Sequence, residues 1–168
     1  LIKTGGYLGI FGIVFAESGL LAGFFLPGDS LLFTAGFLAS QGYLNIWILF
    51  ILTTIAAIIG DSTGYLIGRK LGPKIFKKEN SILFHKDHIE KAKTFFEKYG
   101  GKAIILARFI PVVRTFIPTL AGVGHMEYKK FLIYNIVGGL FWTCALIGAG
   151  NLLGRTVPDA EKYVLPII

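Results

Sequence analysis

Two long stretches without charge dominate the hydropathy pattern of this chain. Residues 30–60 contain no Asp, Glu, Lys or Arg, and neither do residues 131–154. About 20 apolar residues in a helix span the roughly 30 Å hydrocarbon core of a bilayer. An open sheet cannot satisfy its backbone in lipid, and the runs do not alternate apolar with polar residues. The pattern therefore predicts an all-α membrane protein.

In the first half of the chain, glycine, proline and acidic residues interrupt the apolar pattern. Glu17 lies within an apolar segment over 5–26, and Pro27-Gly28 then breaks the helix that this segment predicts. After a further short apolar run, residues 44–68 predict a spanning helix. We expect Gly72-Pro73 to end it.

The second half shows the same order of elements. Within residues 103–124, two arginines and two prolines lie within eleven residues: Arg108, Pro111, Arg114 and Pro118. This pattern excludes a simple spanning helix. Residues 131–154 then predict a second spanning helix.

Two short sequences recur at an offset of 86 residues. Gly64 to Arg69 resembles Gly150 to Arg155, and Ala35-Gly36 recurs as Ala121-Gly122. Either match alone is weak, but two in one register indicate an internal repeat. Repeat one would cover about 5–72, repeat two about 103–158, and a loop over about 73–102 would join them.

Each repeat is predicted to be a broken helical hairpin followed by one spanning helix. If the hairpin is re-entrant, each repeat crosses the membrane once, and the two repeats must be inverted. Hairpin one, about 17–42, would enter from outside, and hairpin two, about 103–126, from the cytoplasm. We expect residues 1–168 to form a single transmembrane domain within a longer chain.

Positive charge is concentrated between the two repeats. Of the 17 Lys and Arg residues, 10 lie in residues 69–102, together with four acids. The positive-inside rule places this segment in the cytoplasm, so its charge needs no nucleic-acid partner. Within it, His85 to Tyr99 has helical spacing, with Asp87 as a candidate cap. This pattern is compatible with a helix on an anionic membrane surface and equally with an ordinary solvated helix.

Six ionisable residues lie within or beside the apolar segments: Glu17, Asp29, Asp61, Arg108, Arg114 and Arg155. Because an unpaired charge in hydrocarbon is costly, such groups face the protein interior or a wet cavity. If the hairpin tips meet, the two acids of hairpin one face the two arginines of hairpin two. We expect Asp61 and Arg155, near helix ends, to reach the interface.

The residue types in the two hairpins favour an anionic substrate and a proton. The planar fork of arginine donors suits phosphate, and carboxylates can gain and lose protons. The candidate phosphate ligands are Arg108 and Arg114, the candidate proton carriers are Glu17 and Asp29, and the possible supporting residues are Asp61, Pro27, Gly28, Pro111 and Pro118. The alternative is that these charges only fix the packing of the hairpins. We find no enzyme or metal-site motif, and we expect no cofactor.

Several motifs of the chain match one family. They are Glu17, Phe25-x-Pro27-Gly28-Asp29, Gly60-Asp61-x-x-Gly64-Tyr65-x-Ile67-Gly68-Arg69-x-x-Gly72, Arg108-Phe109-Ile110-Pro111-x-x-Arg114-x-x-x-Pro118-x-x-Ala121-Gly122, and Asn135-x-x-Gly138 with Trp142. With these motifs the chain resembles the DedA family, also called the SNARE-associated or VTT domain family, which often has Glu where Asp29 stands.

The resemblance implies two re-entrant hairpins that face each other and dependence on the proton-motive force. It implies a protein of the bacterial cytoplasmic membrane that returns undecaprenyl phosphate, a carrier lipid of cell-wall synthesis, to the cytoplasmic leaflet. It also implies that Glu17, Asp29, Arg108 and Arg114 are essential.

We predict a proton-coupled translocase of a lipid phosphate. Its partners would be the bilayer, the anionic lipid and protons, with a homo-oligomer left open. Two alternatives remain: a proton-coupled small-ion transporter, and a scaffold for membrane homeostasis whose charges are purely structural. An enzyme is not expected, because no nucleophile–base pair is visible.

Overall fold

The protein is helical throughout the part that the computed structural model describes, which is residues 2–19, 27–75 and 94–156. The helices are α1 (Ile2–Gly19), α2 (Gly28–Ser40), α3 (Ile46–Ile75), α4 (Lys102–Ala107), α5 (Pro111–Val123) and α6 (Tyr128–Thr156). Residues 94–99 are also helical, and no strand occurs within the described ranges. The all-α prediction is confirmed.

Helices α3 and α6 are long and apolar enough to cross a membrane. Their spans are Ile46–Leu71, of 26 residues and mean hydropathy 1.8, and Tyr128–Thr156, of 29 residues and mean hydropathy 1.7. On α3 a stripe of exposed apolar side chains follows the four-residue spacing of one helix face: Trp47, Ile51, Ile55 and Ile59. A continuous exposed apolar stripe of this kind is typical of a surface that faces lipid.

The predicted end of α3 is wrong. The helix does not stop at Gly72-Pro73 but continues to Ile75. A proline removes only the hydrogen bond from its own nitrogen to the carbonyl four residues earlier, here Arg69. So close to a helix end, the remaining turn tolerates that loss.

The break predicted in the second hairpin is present between α4 and α5. Ile110 is extended, with φ −114° and ψ 105°, because a residue before proline is driven out of the helical region. Pro111 then begins α5, where its missing N–H is not needed. Pro118 lies inside α5 and does not end it, although it leaves the carbonyl of Arg114 without its usual helical donor.

In the first hairpin, Pro27 directly precedes α2, and α2 ends at a turn where Gly42 has φ +81°. The first observation matches the predicted break at Pro27-Gly28, and the second lies where the predicted hairpin over about 17–42 ends. The tip of this hairpin, residues 20–26, lies outside the described residues, as do Asp87 and the predicted helix start at His85. Of that predicted helix, residues 94–99 are confirmed.

The second helix of each hairpin crosses the long helix of the other half. At the α2–α6 crossing Gly36 lies against the carbonyl of Ile147, and Gly150 lies against the carbonyl of Phe33. A Cβ atom on either glycine would overlap the opposing backbone. Glycine is therefore needed for the close approach of the two helices.

The α3–α5 crossing has the same construction. Gly122 lies against the carbonyl of Tyr65, and Gly68 against the carbonyl of Thr119. Gly36 and Gly122 occupy matching positions of the sequences that recur 86 residues apart, whereas Gly68 and Gly150 do not match each other at that offset. Glycine thus allows a close approach of the helices at both crossings.

We expect Gly150→Ala to destabilise the protein by about 1–3 kcal/mol, because the new methyl group overpacks the α2–α6 crossing. Gly148→Ala is the matched control, since a Cβ atom at Gly148 meets nothing within 4 Å on the same helix. It should be neutral or slightly stabilising, because alanine is the better helix former. Unfolding titrations in mixed micelles measure both variants. Equal stability of the two would contradict the close-packed crossing.

Candidate functional site

Within the described residues, five charged side chains are buried or half-buried, and they come from five different places in the fold. Glu17 lies near the end of α1, Asp29 in the first turn of α2, and Asp61 midway along α3. Arg108 lies in the break between α4 and α5, and Arg114 in the first turn of α5. Helix breaks therefore deliver three of the five groups to the site.

Arg114 joins the two hairpins. Its Nη1 donates to Asp29 and its Nη2 donates to Glu17, so that one guanidinium binds both carboxylates of hairpin one. Trp142 of α6 donates its indole N–H to Asp29 at 3.0 Å, and its ring centre lies 4.8 Å from Arg114 Cζ. A cation over an indole face at this distance is stabilising. We call these four residues the Arg114 cluster.

The members of the Arg114 cluster differ in accessibility. The side chain of Glu17 is 5% exposed and that of Arg114 is 10% exposed, whereas that of Asp29 is 35% exposed. Asp29 is therefore the member of the cluster that an approaching ion or proton meets first.

Arg108 has different partners. It donates to the carboxylate of Asp61 and to the side-chain oxygen of Asn135 on α6. The amide nitrogen of Asn135 in turn donates to the carbonyl of Ile58 at 3.1 Å, which fixes the orientation of that amide. A Cβ atom at Gly138 would lie 2.9 Å from Arg108 Cδ, so glycine makes room for the arginine stem. We call Asp61, Arg108 and Asn135 the Arg108 cluster.

The expectation that Asp61 lies near a helix end and reaches the interface is wrong. Because α3 continues to Ile75, Asp61 lies midway along the helix, and it is buried against Arg108. The expectation that Arg108 faces the acids of hairpin one also needs correction, since its partners lie on α3 and α6. Arg155 is exposed near the end of α6, as expected.

Gly28 shapes the carboxylate position in the Arg114 cluster. It is buried at the start of α2, directly after Pro27, and a Cβ atom there would overlap the carboxylate of Glu17. Any larger residue would displace Glu17 from Arg114. Pro118 is fully buried inside α5; for Pro111 only the backbone is described.

The two clusters together hold three carboxylates and two guanidiniums. Asn135 and Trp142 are seven residues apart on α6, which places the clusters about 10 Å apart along that helix. At this spacing the charges of the two clusters act on one another. One bound proton would balance the charge of the site. Arg108 Nε is buried and has no hydrogen-bond partner among the described residues.

The chemistry of the residues did not identify Asn135 and Trp142 as members of the site; they entered only through the family motif. Both side chains carry polar atoms within the charge-free run 131–154. Their separation of two helical turns puts them on one face of α6. A buried amide or indole N–H in such a run needs a partner, and that requirement is the signal that could have linked them to the charges.

Comparison with known proteins places these residues in a family. The model of the VTT domain matches residues 26–152, which include every residue of the two clusters except Glu17. The chain is 49% identical over 164 residues to the protein DedA of Escherichia coli strain K12, covering 96% of this chain and 74% of that protein.

Two further relatives are more distant in sequence. An uncharacterized membrane protein of Mycobacterium leprae is 47% identical over 160 residues, covering 93% of this chain and 71% of that protein. The inner membrane protein YqjA of Escherichia coli strain K12 is 37% identical over 159 residues, covering 94% and 71%. No solved structure matches the chain.

Proposed function

The chain belongs to the DedA family of membrane proteins and matches the VTT domain, and from this premise we propose that it transports a lipid phosphate across the bilayer in a cycle driven by the proton-motive force. The lipid we propose is undecaprenyl phosphate, and the membrane is the bacterial cytoplasmic membrane. Residues 69–102 would lie in the cytoplasm.

One observation carries the proposal: Arg114 is shared by Glu17 and Asp29 across the two hairpins, with Asp29 partly exposed. The planar fork of one arginine can donate two parallel hydrogen bonds to a single phosphate group, in place of one bond to each of two carboxylates. When a phosphate takes Arg114, the two carboxylates lose their cation. They would then remain buried at low cost only by taking up protons.

Arg108 would complete the positive side of the site. Its Nε is a buried donor without a partner among the described residues, and Arg108 lies in the break that precedes α5, the helix that carries Arg114. The excess of carboxylates over guanidiniums supports a bound proton in the resting site. The two carboxylates and the phosphate would thus compete for Arg114, and protons taken up by the carboxylates would favour the phosphate.

The proposed path runs between two inverted, re-entrant hairpins. The close crossings of α2 on α6 and of α5 on α3, each with a glycine of the recurring Ala-Gly pair, support a two-fold relation between the halves. Broken helices in equivalent places of two inverted halves mark transporter sites near the bilayer midplane. The head group would pass the Arg114 cluster while the hydrocarbon tail stays in lipid.

A purely structural role for the charges is the competing account. The ion pairs of Arg114 are compatible with both accounts. It predicts that exchanging the charges, Glu17→Arg with Arg114→Glu, restores function by restoring the ion pair. The transport account predicts a stable protein without transport, because the cation then lies on the wrong hairpin. Function in the exchanged protein would end the transport account.

The proposal is tested with purified protein in liposomes that contain a fluorescent prenyl phosphate or the prenyl alcohol of the same length. We expect the protein to move the phosphate between leaflets, faster under a pH gradient, and to leave the alcohol at the rate of empty liposomes. Equal rates for the two lipids would contradict a phosphate site. Proton flux without movement of either lipid would favour a small-ion transporter.

A further inference from the structure

An apolar groove of about 690 Å³ lies beside the second hairpin, apart from the two charged clusters. Its floor is formed by small or buried side chains of α4 and α5 and by an aromatic ring of α6: Ala103, Ala107, Ile117 and Tyr134. Its volume lies within the range of pockets that enclose small-molecule ligands. The groove therefore has room for part of a lipid chain.

The side walls of the groove are apolar and open outward. Leu106 is 68% exposed, and Ile110 and Val113, which also line the groove, are exposed. The lining further includes the rings of Phe95 and Tyr99, whose centres are 5.0 Å apart. Side chains of this kind would be costly to expose to water, so the groove opens toward hydrocarbon.

The lining of the groove also includes basic residues. Lys98 and Lys102 line it together with one acid, Glu97, and Lys98 Nζ is 5.3 Å from the ring centre of Tyr99. Both lysines belong to the segment 69–102, which holds 10 of the 17 Lys and Arg residues. An apolar groove that also presents two cations is complementary to a hydrocarbon chain with an anionic head group.

We propose that this groove binds a phosphate-bearing lipid, with its hydrocarbon chain along Leu106 and Val113 and its head group at Lys98 and Lys102. Val113 directly precedes Arg114, so the groove opens beside the turn of α5 that carries the arginine. The inference deepens the proposed function and rests on it in one respect: the lipid held here is the substrate before its head group reaches Arg114.

The test uses photolabelling of the full chain in nanodiscs. The two probes are a phosphatidic acid with a diazirine in one acyl chain and a diacylglycerol with the same diazirine chain. We expect the phosphatidic acid to label the groove residues about tenfold more than the diacylglycerol, because two lysines attract the phosphate. Lys98→Gln with Lys102→Gln should remove that preference, and Lys70→Gln with Lys129→Gln, at two exposed positions, should not.

A second variant blocks the groove itself. Val113→Trp fills it from an exposed position and should lower labelling by phosphatidic acid, whereas Ile133→Trp, at an exposed position of α6 outside the groove, should not. Equal labelling by the two probes, or full labelling of Val113→Trp, would overturn the groove as a binding site.

The same variants separate this inference from the proposed function. Val113→Trp with lost labelling but normal phosphate transport would overturn the claim that the groove holds the substrate. Selective labelling of a wild-type protein that moves no lipid phosphate would overturn the proposed function and leave the groove as a lipid site.

Discussion

Replacing Arg114 with alanine is expected to lower transport of the prenyl phosphate about 100-fold or more while the protein remains folded. The side chain makes two charge-assisted hydrogen bonds, each worth about 1.5–3 kcal/mol, and the same donors would serve the phosphate. Folding should survive because Asp29 is partly exposed and Glu17 can take up a proton. Transport in liposomes and elution as a monodisperse species measure the two properties separately.

Arg114→Lys sharpens this prediction. Lysine keeps the charge but lacks the planar fork that reaches two carboxylates or two phosphate oxygens at once. It should lose at least about tenfold in transport. Arg155→Ala is the matched control, because Arg155 is exposed near the end of α6, and it should transport normally. Transport by Arg114→Ala at the wild-type rate would contradict a phosphate site at Arg114.

Removing one partner of the Arg108–Asp61 pair is expected to destabilise the protein by about 3–5 kcal/mol. Both side chains are almost completely buried, so the remaining charge would have no counter-ion. Arg108→Met and Asp61→Leu should each show that loss in the free energy of unfolding, measured by unfolding titrations. The double variant should recover most of the lost stability, because a well-packed apolar pair often replaces a buried ion pair without cost.

The recovered double variant also tests the division of roles between the two arginines. It should remain folded but transport poorly, because the site has lost one of its two cations. A double variant as unstable as the single variants would contradict the claim that the loss of stability comes from an unpaired charge at Arg108 or Asp61. The exposed pair Lys130–Glu127, 3.5 Å apart, provides the control, and removing either partner should cost less than about 1 kcal/mol.

The helices could be predicted from the sequence because each long apolar run has only one stable form in lipid. Ile110 before Pro111 could likewise be placed in a break, since a local steric rule decides it. The end of α3 was predicted wrongly because the same local rule says little about the last turn of a helix. There a proline costs one hydrogen bond, and packing can offset that loss.

The pairing of charges could be predicted only in part. That Glu17 and Asp29 meet an arginine followed from the cost of isolated charge in hydrocarbon. Which arginine they meet depends on the rotation of α3 and α6 about their own axes. That rotation cannot be predicted directly from the sequence. Asp61 was misplaced because α3 continues beyond the end predicted at Gly72-Pro73, and Asn135 was missed because it carries no charge that would link it to Arg108.

The central claim is that the phosphate replaces the two carboxylates at Arg114 and that these carboxylates then take up protons. Calorimetry of prenyl phosphate binding at pH 8, in two buffers of different ionisation heat, measures the protons taken up per lipid bound. The account predicts about one proton for the wild type and for the exposed control Glu127→Gln, and almost none for Glu17→Gln with Asp29→Asn. Binding without proton uptake in the wild type, or equal uptake in the double variant, would contradict it.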